Sequence, residues 1–214
     1  MADNLNITPG AGAVLRTTEA GGVHTTHHTD TDRAALIAAI GAVTTALTAP
    51  LAVVGRATLA SATFSRPANT TAYVSGQLAA NSVTAGSVTP MSFTVARIAA
   101  GSGMIRRLRI RKTGTSITNA SFRLHLFTAS PVPSNGDGAA FLTDKAMNYM
   151  GKIDVTMDQV FTDGSTGNGV PFVGSEINFA LTSGQVIFGL LEARGSYTPV
   201  SGETFNFELE VLPN

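Results

Sequence analysis

The stretch FNFELEV, residues 205–211, constrains this chain more than any other. In an extended backbone Phe205, Phe207, Leu209 and Val211 fall on one side, and Asn206, Glu208 and Glu210 on the other. A period of two marks a strand with one face in a core and one in water. The same alternation runs through FRLHLF, with Phe122, Leu124 and Leu126 set against Arg123 and His125, and through INFAL, with Ile177, Phe179 and Leu181 on one side. In RRLRIRK it sets Leu108 and Ile110 against Arg107, Arg109 and Arg111. Strands are expected near 57–65, 71–79, 91–98, 104–112, 120–128, 150–157, 175–182, 185–193 and 204–212. TSGQ at 182–185 reads as a tight hairpin turn between two of them. Short strands at this density, without helical patterns between them, predict a mainly β fold. The expected form is an antiparallel β-sandwich of jelly-roll type over residues 56–214.

Two stretches interrupt the alternation. Residues 128–152 begin with Pro131, Pro133, Asn135, Gly136 and Gly138, a loop composition, and continue into AAFLTDKAMNY, which reads as a short helix. An insertion of this length is a functional or contact element in most compact domains. Residues 162–175, TDGSTGNGVPFVGS, read as a second, glycine-rich loop.

The first 55 residues are built differently. Residues 1–31 are polar and rich in Gly and Thr, and are expected to form an extended N-terminal arm that orders on a partner. Residues 34–55 carry no charge and are long enough to cross a bilayer, yet they are mostly Ala, with three Thr and Pro50 inside. Leu36, Ile40, Val43, Leu47 and Leu51 recur at helical spacing. Asp30 or Asp32 can cap the start, and Pro50 disfavours helix at Ala49. An amphipathic helix over about 32–48 follows, within a helix-and-linker segment, 32–55. Its Thr-rich middle also permits an extended segment. The helix stripe is expected to meet another chain or the β domain, with Leu36, Ile40, Val43 and Leu47 as oligomer contacts, and no membrane partner is expected.

Charge and composition exclude function classes. Lys plus Arg number 14 and Asp plus Glu number 14 in 214 residues, so a general nucleic-acid binder, which needs a basic surface, is not expected. The low charge instead favours an assembled protein. Absence of cysteine removes thiolate chemistry and zinc–sulfur sites. No basic segment followed by an apolar run opens the chain, so no secretory signal is expected.

Candidate chemistry is sparse. His24, His27, His28 and Asp30 could share a metal if 24 and 28 lay one helical turn apart. Thr25, Thr26 and Thr29 favour extended structure instead, so the preferred reading is a polar connector, with no metal and no cofactor. The row Arg107, Arg109 and Arg111, with Arg106, Lys112 and Arg123 near it, resembles an anion patch. Cross-strand pairing with Glu208 and Glu210, or contact with an acidic partner, is the favoured account, since no aromatic residues interleave for base stacking. His125 has no Ser or Asp neighbour in sequence, and Asp137, Asp144, Asp154, Asp158 and Asp163 are scattered. GSTGNG lacks the lysine of a phosphate-binding loop. No enzyme is expected. With no Trp and only Tyr73, Tyr149 and Tyr197, a sugar-stacking face is poorly supplied.

Three segments carry a resemblance: NITPGAGAVLRTTEAGGVHTT at the start, YVSGQLAANS, and RLHLFTASPVPSNGDGAAF followed by YMGKI. They resemble segments of structural proteins of tailed-phage particles, and within that class the chain is similar to capsid decoration, or cement, proteins. The resemblance implies a β-sandwich on the outer capsid surface, made in the bacterial host cytoplasm and often trimeric. It implies an arm reaching across neighbouring subunits of the major capsid protein. Leu5, Ile7, Val14, Leu15 and Val23 are the expected arm contacts. A tail, collar or head-fibre component with an outward β domain for host attachment is the alternative.

Overall fold

The structure is a computed structural model that describes residues 16–20, 23–27, 30–48, 56–144, 146–172, 174 and 176–214, with side chains at 33–44 and, Ala146 apart, from 56 onward. The chain divides into two compact units, 1–52 and 53–214.

In the first unit β1 (Arg16–Ala20) pairs antiparallel with β2 (Val23–His27), Arg16 opposite His27 and Ala20 opposite Val23. This stretch of the expected arm therefore makes its own ladder. Helix α1 (Asp30–Thr48) follows, close to the range its apolar spacing predicts. Leu5, Ile7, Val14 and Leu15, and the side chains of Val23, Leu47, His24, His27 and His28, lie outside the described residues.

The second unit is mainly β. Its strands are β3 (Thr58–Ser65), β4 (Gln77–Ala79), β5 (Met91–Thr94), β6 (Ser102–Lys112), β7 (Ser121–Phe127), β8 (Tyr149–Thr156), β9 (Gln159–Phe161), β10 (Gly164–Gly169), β11 (Ile177–Ala180), β12 (Val186–Ala193) and β13 (Thr204–Pro213). Among the described residues they make two antiparallel sheets. The first runs β3-β13-β6-β10-β9, with β11 also on β6; the second runs β4-β12-β7-β8, with β5 also on β12.

One core joins the inner faces. Phe205, Phe207, Leu209 and Val211 of β13 and Ile105, Leu108 and Ile110 of β6 meet Phe122, Leu124 and Leu126 of β7 and Ile187 and Leu191 of β12. The alternation read from the sequence thus names the buried face on β13 and β7, and at Leu108 and Ile110 of β6. Phe122 packs edge-on against Phe205, ring centres 5.3 Å apart, an orientation that sets one ring's positive edge on the other's negative face. A bulge opposite Glu210 and Val211 leaves Arg106 without a register partner on β13, so Arg106 and Arg107 both face water while Ile105 and Leu108 stay inside.

Three expectations need correction. TSGQ is not a hairpin turn, because β11 belongs to the first sheet and β12 to the second, so the chain crosses between sheets there. The 162–175 region is not simply a loop, since it contains β10, paired to both β6 and β9. AAFLTDKAMNY yields only a single turn of 3-10 helix, Ala146–Asn148, running straight into β8. The early half of that insertion instead lies along β4, with Leu78 N–H donating to Ala139 O and Phe141 N–H to Gly76 O, each at 2.8 Å. There it supports a second apolar cluster of Leu78, Ala80, Phe127 and Leu190, against which Phe141 packs. This cover explains why both faces of β12 are buried and its sequence, VIFGLLEA, fails to alternate.

Candidate functional site

Two buried polar networks hold one group of loops in place. Arg66 Nη2 lies 2.8 Å from Asp137 Oδ2, and both side chains are almost fully buried. Arg66 Nε also donates to the Tyr73 hydroxyl, which donates to Asp137 Oδ1 at 2.5 Å. Ala80 N–H adds a third donor to the same carboxylate. Alongside, Lys112 Nζ reaches Gly114 O, Ser116 O, Tyr197 Oη and Glu203 Oε1 at 2.7–3.2 Å, with Lys112 and Glu203 wholly buried. The Tyr197 hydroxyl donates to Glu203, so burial and that carboxylate both raise its pKa. The networks touch through the backbone, Tyr73 N–H donating to Tyr197 O and Arg66 N–H to Glu203 O. Lys112, read from sequence as a neighbour of the arginine row, is instead an inward cation. Among the described residues every buried polar side-chain atom of both networks has a partner, so each network clamps the segments it joins.

The arginine row is neutralised as cross-strand logic predicts. Arg109 meets Glu208 at 2.7 Å and Arg107 meets Glu210 at 2.8 Å, each directly opposite on β13. Arg111 meets Asp163 at 2.6 Å. Arg123 grips Asp154 through Nε and Nη2 at 2.6 and 2.9 Å, and this bond first of all holds the Asp154 carboxyl below the usual range. The row is a ladder of ion pairs on the outer face of the first sheet, with Arg106 as the member that makes no ion pair among the described residues.

His125 occupies the outer face of the second sheet, as its alternation predicts, but that face is covered. Its ring stacks on Phe141 with centres 4.3 Å apart, and Nε2 lies 2.8 Å from Glu192 Oε2. A carboxylate can only accept, so the proton of the neutral imidazole sits on Nε2. Burial holds the His125 pKa below its ordinary value, despite the Glu192 carboxylate. Burial also pushes Glu192 up, but hydrogen bonds from His125 and from Arg194, at 2.8 Å, outweigh it and hold the carboxyl low. Sequence reasoning missed this group because Glu192 and Phe141 are brought to His125 only by strand pairing and by the docked insertion.

Helix α1 carries a run of exposed apolar side chains. Leu36, Ile40 and Val43, the expected oligomer contacts, are 62, 58 and 64% exposed, and Ile37, which the stripe did not include, is 67% exposed. Every described side chain from Arg33 to Thr44 is exposed, and Arg33 is the one charged residue among them. A helix apolar on nearly all sides is normally buried. Among the described residues no three metal-ligating side chains converge, and no helix is long and apolar enough to cross a membrane. No family model matches the chain, and no curated protein matches it.

Proposed function

We propose that this chain is a structural virion protein that binds the outside of a phage capsid and stabilises it as a decoration protein. In this reading a jelly-roll-like sandwich stands on the shell, residues 1–31 reach neighbouring copies of the major capsid protein, and α1 joins copies of this chain, three of them round an axis. The observation that carries the reading is α1, a 19-residue helix whose Leu36, Ile37, Ile40 and Val43 stand in water. An exposed apolar face of this kind supports a contact with another chain. Closed rotational symmetry satisfies a self-contacting helix in every copy at once. The resemblance of the first residues to phage structural proteins supports the choice of partner. Extended segments add main-chain hydrogen bonds to a neighbour's sheet edge, and several joined arms gain avidity without stronger single contacts.

The test is mass spectrometry of purified particles, calibrated against the major capsid protein. Hundreds of copies per particle are expected. A few to a few tens would place the chain in a tail, collar or head fibre instead. Deleting residues 2–23 is expected to abolish capsid binding; unchanged binding would remove the arm from the mechanism.

A further inference from the structure

Phe172 is 83% exposed and Val170 is 62% exposed, just beyond β10. They form a wall shared by two hollows. The larger, about 730 Å³, is bounded on its other side by Tyr149, Lys152 and Asp154 of β8, with Glu176 at its margin. The smaller, about 390 Å³, continues past Phe172 to Arg106 and Leu212. Both fall in the size range of small-molecule sites.

The chemistry of the walls narrows the ligand. Two aromatic rings reach solvent here, Phe172 and the 42% exposed Tyr149, whose ring is also held against Phe127 and His125, while the other two tyrosines are buried in the clamps. Lys152 and Glu176 form no ion pair among the described residues, so a donor and an acceptor are unspent beside the rings. Asp154 is held rigid by Arg123. Cations and carboxylates are mixed around the rim, which sets up no single-signed field for a polyanion. An added peptide strand is disfavoured at the β8 edge, because the carbonyls of Asp154 and Thr156 face the glycines of β10. A ligand with flat C–H faces and a periphery of hydroxyls matches what remains: its faces stack on the rings and its hydroxyls bond Lys152 and Glu176.

We propose that the cleft between Tyr149 and Phe172 binds a neutral oligosaccharide, extended so that it crosses Phe172 from one hollow to the other. The inference concerns the isolated β unit and does not depend on where the protein sits in a particle.

Saturation-transfer NMR on the full chain decides it, with maltotriose, chitotriose and mannotriose as neutral probes and dextran sulfate as the polyanion. Transfer to at least one neutral trisaccharide is expected. Phe172→Ala and Tyr149→Ala should each weaken that binding by roughly tenfold, whereas Leu59→Ala, on the opposite edge of the first sheet, should leave it unchanged. Phe172 supports no core, so its replacement cannot act through unfolding. Absence of transfer to all three neutral probes overturns the proposal. So does binding that survives Phe172→Ala, or binding confined to dextran sulfate and abolished by salt.

Discussion

Lys112 shows how a single residue escapes a pattern reading. It ends a strand whose other cations face water, yet its ammonium is enclosed and bonded to Glu203. Removing one member of a buried ion pair strands the other charge, so Lys112→Met or Glu203→Leu should each cost about 3–5 kcal/mol in urea unfolding. The double replacement should cost less than the two added, because no charge is then left unpaired. His125 allows a test with a defined sign. Its folded pKa lies below its ordinary 6.5, so the unfolded chain binds the proton first, and stability falls as pH drops below that value. The carboxyls of Glu192 and Asp154 are also held low; their contribution is present above their ordinary 4.5 and 3.8 and is lost as pH falls through the folded values. Melting temperature plotted against pH should therefore fall in two stages on acidification. His125→Gln should remove the upper stage and leave the lower one; an unchanged upper stage would exclude His125 as its source.

At the scale of elements, β10 is the informative case. GSTGNG has the composition of a loop, but its glycines serve a close approach between the sheets. A Cβ at Gly167 would lie 2.3 Å from Thr156 O, and one at Gly169 would lie 2.2 Å from Asp154 O, both backbone atoms of β8. Neither carbonyl can swing aside without breaking β8, so Gly167→Ala or Gly169→Ala should destabilise by about 3 kcal/mol. Thermal unfolding within a degree of wild type would show that the sheets do not meet there. Helix α1 makes the opposite demand, since Leu36, Ile37, Ile40 and Val43 are exposed. Leu36→Asn, Ile40→Asn and Val43→Asn together should convert an oligomer to a monomer in sedimentation analysis while the β unit melts as before.

For the whole molecule, the two-unit division predicts separable stability. The β unit holds its own core and both clamps, so residues 53–214 expressed alone should fold with a melting temperature within a few degrees of the full chain. A chain that is molten without residues 1–52 would mean that the first unit completes the core. Outer ion pairs such as Arg107–Glu210 and Arg109–Glu208 add little to that stability, because their charges remain largely solvated.

Alternation alone identified the inward apolar residues Leu108 and Ile110 of β6, Phe122, Leu124 and Leu126 of β7, Ile177 and Phe179 of β11, and the buried face of β13, because a strand with one wet face writes its orientation into every second residue. The spacing of Leu36, Ile40 and Val43 likewise located α1, and the positions of Glu208 and Glu210 anticipated their arginine partners. Other features depend on contacts between residues far apart in sequence, which no local period records. β10 is a strand because β6 and β9 pair with it, with glycine where β8 leaves no room for a Cβ, and β12 is buried on both faces because the 128–148 insertion covers it. Lys112, Glu203 and Tyr197 lie up to 91 positions apart and meet only where loops from both sheets converge. Tyr149 and Phe172 line one cleft for the same reason: the first sheet packs on the second where β10 meets β8, whereas sequence records only that each is aromatic.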